Sequence, residues 1–210
     1  MQVKKIHSLL ITIVLLLLTI TAARSQSCVG TAGEVKWCYW TGFTSTPDSL
    51  DLFYLETFPD HPTDSQTLGF LQTPINFTDR FASMIRGYIH VPTTANYVFN
   101  ITGDDKSVFY LSSDENPNNK SIKAEVTGWS NIDQHDKYSE QTSDTVTLVG
   151  GQYYYFEMYN FEGGYSDHMT LYWHLEGETD WRIIDYNYLN AYGCESTCDD
   201  RGTPCDDGNP

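Results

Sequence analysis

The chain has 210 residues, 28 of them acidic and 12 basic, for a net charge of −16. A surface this acidic repels phosphate backbones and anionic lipid headgroups, which excludes nucleic acid and membrane surfaces as partners and favours divalent cations. Fifteen Tyr, ten Phe and five Trp among polar Gly, Asn and Asp turns are the composition of an all-β domain.

Residues 1–25 read as a signal peptide: Lys4 and Lys5 make a positive start, residues 9–20 are an apolar run, and Ala23 and Ser25 offer small residues for cleavage. The run is shorter than the ~20 residues that span a bilayer, so the mature chain is expected to be secreted or at the cell surface, with no membrane insertion. Without Lys4, Lys5 and Arg24 the net charge falls from −16 to −19. All five cysteines lie beyond this segment: Cys28, Cys38, Cys194, Cys198 and Cys205. In an exported chain they predict disulfides, with Cys28 joined either to Cys38 or to Cys194. One thiol is left over, and the chain stops mid-motif in "CDDGNP", so a longer multidomain parent is expected.

One domain, 26–193, then fills the chain up to a Cys/Asp/Gly-rich tail, 194–210, that reads as a linker or the start of a further module. Residues 37–73, with Pro47, Pro59 and Pro62, predict strands separated by long loops. "MIRGYIHV" sets Ile85, Gly87, Ile89 and Val91 against Arg86, Tyr88 and His90, and "NYVFNIT" puts Tyr97, Phe99 and Ile101 on one face. "TVTLVGGQYYYFEMYN" predicts a hairpin turning at Gly150-Gly151. "HMTLYWHL" sends Met169, Leu171, Trp173 and Leu175 inward and His168, Thr170, Tyr172 and His174 outward. Helical periodicity is nowhere sustained, and short alternating strands at this spacing predict an antiparallel β-sandwich with long loops. Trp37, Trp40, Trp173 and Trp181 are assigned to its core, and Tyr153, Tyr155 and Tyr159 to core or inter-strand packing.

No G-x-S-x-G elbow, H-E-x-x-H pair or glycine-rich phosphate loop occurs in the sequence. His168 and His174 share a strand face but stand roughly 20 Å apart, too far to share an ion. His61, His90 and His135 read as surface or hydrogen-bonded residues. Asp104 and Asp105 are too close together to straddle a glycosidic bond, and nothing selects Glu157 with Glu162 for that task. A non-enzymatic role is therefore expected. Asn76, Asn100 and Asn119 fit the N-x-[ST] pattern, which has meaning in a eukaryotic secretory pathway.

Taken alone, "GDDKS" is hairpin-loop chemistry. In order, however, "RGYIHVPTTANYVFNITGDD", "FYLSSDENPNNK", "GW", "DKYSEQTS", "LVGGQYYYFEMY", "FEGG" and "DHMTLYWHL" resemble the protective-antigen-type domain, over residues 37–192. That module forms the lectin domains of flocculins and fungal epithelial adhesins, and this version is similar to those of fibrocystin-like receptors and large secreted bacterial proteins. The resemblance implies a β-sandwich holding one calcium ion on two adjacent aspartates joined by a cis peptide, here Asp104 and Asp105. A cis bond turns neighbouring side chains to one side, so both carboxylates can reach one hard cation.

The resemblance further implies that the 160–168 loop, "NFEGGYSDH", completes the site. Asn160 and Asp167 would offer side-chain oxygens, and Gly163 and Gly164 would let carbonyls turn inward. The ion's remaining positions would take a sugar diol, with Tyr165 and Trp129 stacking on the ring. Many relatives carry a longer glycine run here, so Tyr165 either narrows the pocket or adds a specificity contact. The expected function is thus calcium-dependent binding of glycans or cell-surface polysaccharide, as a lectin or adhesin module. The alternatives are a non-binding spacer and an accessory domain of a larger glycoside-active enzyme.

Overall fold

A computed structural model of the protein describes residues 27–194. The expected signal peptide lies outside the described residues, as do Cys198, Cys205 and nearly all of the expected tail.

The chain enters through β1 (Val29–Ala32) and β2 (Val35–Trp40). A single five-residue helix, α1 (Ser49–Phe53), follows. It is possible because Asp48 caps it, accepting from the Leu50 and Asp51 amides at 2.7 and 3.0 Å while Asp51 accepts back from the Asp48 amide. Then come β3 (Asp64–Leu68), β4 (Phe81–His90), β5 (Ala95–Asp104), β6 (Lys106–Ser112) and β7 (Lys120–Val126). The last strands are β8 (Val146–Leu148), β9 (Tyr153–Glu162), β10 (His168–Leu175), β11 (Arg182–Ile183) and β12 (Leu189–Tyr192).

Every pairing is antiparallel, and the strands form two sheets. The larger runs β1-β12-β4-β9-β6-β7, with β2 also on β4 and β3 outside β2; the smaller runs β11-β10-β5-β8. The expected inward residues meet between them: Phe99, Ile101, Met169, Leu171 and Trp173 from the smaller sheet against Ile85, Ile89, Phe109, Phe156 and Met158 from the larger. Each such side chain taken from water contributes roughly 1.5–3 kcal/mol, which makes this layer the main source of stability.

The larger sheet is buried on its outer face as well. Segment 43–58, including α1, covers Trp40, Ala82, Met84, Tyr159 and Phe161 with Leu52, Phe43 and Phe58. Tyr155 and Tyr159 therefore pack as expected, their hydroxyls both donating to the buried Glu157 at 2.7 and 2.8 Å. Burial pushes both phenols far above the ordinary tyrosine range.

Three expectations need correction. Gly150-Gly151 does not close a hairpin, because β8 pairs with β5 in one sheet and β9 with β4 and β6 in the other. The glycines instead carry the chain between layers: Gly151 has φ +80°, and a Cβ on Gly150 would strike the backbone at Pro92–Thr94. Three of the four residues of β10 expected to point outward do not meet solvent, and only His174 is part-exposed. His168, Thr170 and Tyr172 are buried, Tyr172 lying beneath His135 and donating to Asp133 at 2.8 Å. Trp181 lies outside the core, half-buried against the rings of His135 and His174.

The open disulfide question resolves as Cys28–Cys194, with a Cα separation of 4.9 Å, tying the two ends of the domain together. Cys38 is a free, half-buried thiol in β2. Among the described residues no helix is long and apolar enough to cross a membrane.

Candidate metal centre and ligand cleft

At Asp104 the chain leaves the smaller sheet, and at Lys106 it enters the larger one. The Asp104–Asp105 peptide bond between them is cis, as the resemblance implies. Four neighbours hold this corner. The Asp105 N–H donates to Glu162 Oε2 at 2.8 Å, and the Ser107 hydroxyl donates to the Asp105 carbonyl at 3.3 Å. Asn160 Nδ2 donates to the Asp104 carbonyl at 3.3 Å and to Ser107 Oγ at 3.2 Å. The Gly163 N–H donates to Asp105 Oδ2 at 3.0 Å. Strand pairing makes these meetings obligatory, since β6 and β9 place Ser107 opposite Asn160.

One carboxylate oxygen each from Asp104, Asp105 and Glu162 lie within 4.8 Å of one another. Glu162 is fully buried, and among the described residues its Oε1 has no hydrogen-bond partner. Desolvation, then the Asp105 charge and its hydrogen bond, push the Asp104 carboxyl up to about 6, with Lys137 pulling the other way. Desolvation followed by the Asp105 and Asp104 charges push Glu162 up to about 8. Three crowded carboxyls, of which Asp104 and Glu162 resist ionisation, form a donor set suited to a hard cation. Calcium binds oxygens at about 2.3–2.6 Å, so two ligands of one shell lie within about 5 Å of each other. The residues present fit it.

The cluster opens into a cleft of about 670 Å³. Its lining includes Ile75, Asn76, Trp129, Ile132, Tyr165 and His168. Trp129 is 48% exposed, with the Lys137 ammonium over its ring, and Tyr165 is 100% exposed. Tyr165 adopts φ +84°, and its N–H donates to Asp79 Oδ1 at 3.2 Å. Burial lowers His168 to about 4, which keeps it neutral, and among the described residues its Nε2 has no hydrogen-bond partner.

The 160–168 loop thus reaches the site, where the side chains of Asn160 and Asp167 both make hydrogen bonds. Asn160 is buried and spends its amide nitrogen on the clamp itself. Asp167 is also buried, yet stands outside the carboxylate cluster. Its Oδ2 accepts from the Thr78 N–H at 3.2 Å, and its carbonyl accepts from the Asn76 N–H at 3.0 Å. It therefore anchors the 75–80 turn, whose Ile75 and Asn76 line the cleft. At Gly163 a Cβ would collide with the Thr46 hydroxyl and press on the Asp105 carboxylate, whereas Gly164 has ordinary room beside Asp79.

Glu162, the third carboxylate, is the residue that the sequence reading missed. The legible signal was its parity with Asn160, two residues earlier on the same strand face, directly before the glycine pair. Glu157 has the opposite parity and faces the outer tyrosines, so Glu157 and Glu162 cannot flank one sugar.

The PA14 domain family matches residues 37–185 of this chain. The fold is shared with the PA14 sugar-binding domain from an RTX adhesin (TM-score 0.54, 11% identity, 77% of this chain and 99% of that one). It is shared too with the PA14 domain of the MpAFP antifreeze protein (TM-score 0.55, 12% identity, 81% and 97%). The epithelial adhesin 6 A domain of Candida glabrata, solved in complex with Galβ1-3GlcNAc, gives a TM-score of 0.52 at 11% identity, over 78% and 88%. An anti-sigma factor domain-containing protein from Clostridium clariflavum matches over 50% of its own length. In sequence, 120 residues are 33% identical to mouse N-acetyl-beta-glucosaminyl-glycoprotein 4-beta-N-acetylgalactosaminyltransferase 1. That stretch is 54% of this chain and only 12% of the mouse enzyme.

Proposed function

The chain belongs to the PA14 domain family, and from that premise we propose that it is a secreted, calcium-dependent carbohydrate-binding module of lectin or adhesin type. The observation that carries the reading is the cluster of the Asp104, Asp105 and Glu162 carboxylates, with Glu162 Oε1 lacking a hydrogen-bond partner among the described residues, beside a cleft lined by Asp104 and Asp105. Asp104, Asp105 and Glu162 would hold a calcium ion, which would supply Lewis-acidic coordination for the hydroxyls of a sugar.

The chain's own residues do the rest. The Gly163 N–H fixes the Asp105 carboxylate and the Asn160 amide fixes the Asp104 backbone carbonyl before any ligand arrives, which lowers the ordering cost of binding. Trp129 offers a half-exposed ring for the apolar face of a sugar, and Tyr165 stands at the rim. The adhesin and RTX relatives named above, one solved with a galactose-containing disaccharide, support a glycan as the partner.

A second reading is favoured by the mouse transferase: the module serves as an accessory glycan-binding domain of a longer glycan-modifying protein, in the 26–193 arrangement with 194–210 leading onward. Both readings predict the same first result. On a glycan array the secreted domain should bind terminal sugars with accessible diols in calcium and release them in chelator. Binding that persists unchanged in chelator contradicts the proposal.

A further inference from the structure

The fold sorts the three Asn-x-Ser/Thr triplets. Asn100 is wholly buried, its amide donating to the His135 carbonyl at 2.9 Å and the Thr142 hydroxyl at 2.8 Å. An oligosaccharide there is incompatible with the folded chain. Asn119 is exposed but holds Asp114 at 2.8 Å in a surface turn.

Asn76 differs from both. It is exposed, it lines the same cleft as Asp104 and Asp105, and among the described residues its side chain has no hydrogen-bond partner. Its φ of +54° is a conformation that asparagine tolerates better than most residues. Asp167 pins the triplet at both ends, through the Asn76 and Thr78 N–H groups. Between them the Phe77 ring packs edge-on against Trp37, Tyr39 and Phe81. The triplet is therefore a fixed turn, with the part-exposed Phe77 ring held against its aromatic neighbours and Asn76 exposed in the lining of the cleft.

We propose that Asn76 is an N-glycosylation site whose oligosaccharide shields the cleft containing Asp104 and Asp105. In the secretory pathway to which residues 1–25 point, Asn76 Nδ2 attacks the anomeric carbon of a lipid-pyrophosphate-linked oligosaccharide. The C–N bond forms, the C–O bond to pyrophosphate breaks, one amide proton passes to a base, and the lipid pyrophosphate leaves. Because Asn76 and the aspartates share one cavity, the first sugars of the attached chain reach the cleft mouth. The shielding, though not the modification, rests on the ligand site proposed above.

The test is to secrete the wild type, Asn76→Gln and Thr78→Ala from a eukaryotic host. Thr78→Ala removes the acceptor pattern while leaving Asn76 in place. Glycopeptide mass spectrometry should find Asn76 occupied in the wild type and bare in both variants; a bare Asn76 in the secreted wild type overturns the proposal. Acrylamide quenching reads shielding without any ligand, since Trp129 is the most exposed of the described tryptophans and Trp129→Phe identifies its share. Both variants, and wild type deglycosylated after folding, should quench more strongly and bind a calcium-loaded glycan array several-fold better. Equal quenching across an occupied wild type and the bare forms overturns the shielding. An array that stays blank for every form, with quenching still different, defeats the carbohydrate reading and leaves the Asn76 assignment standing.

Discussion

Replacing Glu162 with Gln should stabilise the protein without metal and cripple it with metal. The glutamine side chain still offers an oxygen to the Asp105 N–H but removes a buried charge from beside two aspartates. In the folded state the Glu162 carboxyl titrates near 8 instead of its usual 4.5, so the native protein binds more protons than the unfolded chain between those values. Stability of the metal-free wild type therefore falls as pH rises through that window. A tenfold change in proton affinity is worth about 1.4 kcal/mol, and after discounting for solvent reaching the open side of the cluster, about 2 kcal/mol should be regained by Glu162→Gln at pH 8. At pH 4 the gain should vanish, because the wild-type group is protonated in both states.

Urea denaturation in chelator at the two pH values measures this directly. Added calcium should reverse the order at pH 8: the wild type gains stability by mass action, and the variant, short one anionic ligand, gains at least about 1.4 kcal/mol less, equal to a tenfold weaker affinity. A variant that is less stable than the wild type in chelator at pH 8, or equally changed at pH 4 and pH 8, refutes the reasoning.

Other residues of the clamp make separate predictions. Asn160→Ala removes the hydrogen bonds to the Asp104 carbonyl and Ser107, so calcium affinity measured by titration should fall by about 1 kcal/mol per bond although no carboxylate changes. Gly163→Ala forces a methyl group against Thr46 and Asp105 and should cost about 1–3 kcal/mol in thermal unfolding together with calcium binding, while Gly164→Ala, with room beside Asp79, should be close to neutral. Cys28→Ser opens a bridge between residues 166 apart, and chain-entropy reasoning gives a loss of up to about 5 kcal/mol in denaturant unfolding.

Much of the sandwich was legible because its central strands declare themselves. Phe99 and Ile101 alternate with polar residues as a half-buried strand must, and Met169, Leu171 and Trp173 do the same. Failures came where partner choice is tertiary. Gly150-Gly151 has the local chemistry of a hairpin turn, and nothing in those residues says that β8 will pair with β5 across the other layer. Trp181 is apolar enough for the core, but the His135 and His174 rings capture it outside the smaller sheet.

The same division holds at the site. Asp104 and Asp105 are adjacent in sequence, yet taken alone they read as a hairpin loop, and only the ordered resemblance along the chain singled out the pair. Glu162 comes from a strand 57 residues away, and only the registry of β9 beside β6 brings it to the Asp105 amide. Asp167 carries the chemistry of a ligand, yet the 75–80 turn claims its oxygens first.

Calorimetric titration of calcium into chelator-stripped protein, beside Asp104→Ala and Glu162→Gln, tests the central claim most directly. One calcium per chain should bind the wild type, with binding lost in Asp104→Ala and weakened at least tenfold in Glu162→Gln. A wild type that takes up no calcium, or an Asp104→Ala protein that binds as tightly, would mean that the aspartate pair only closes a turn between sheets.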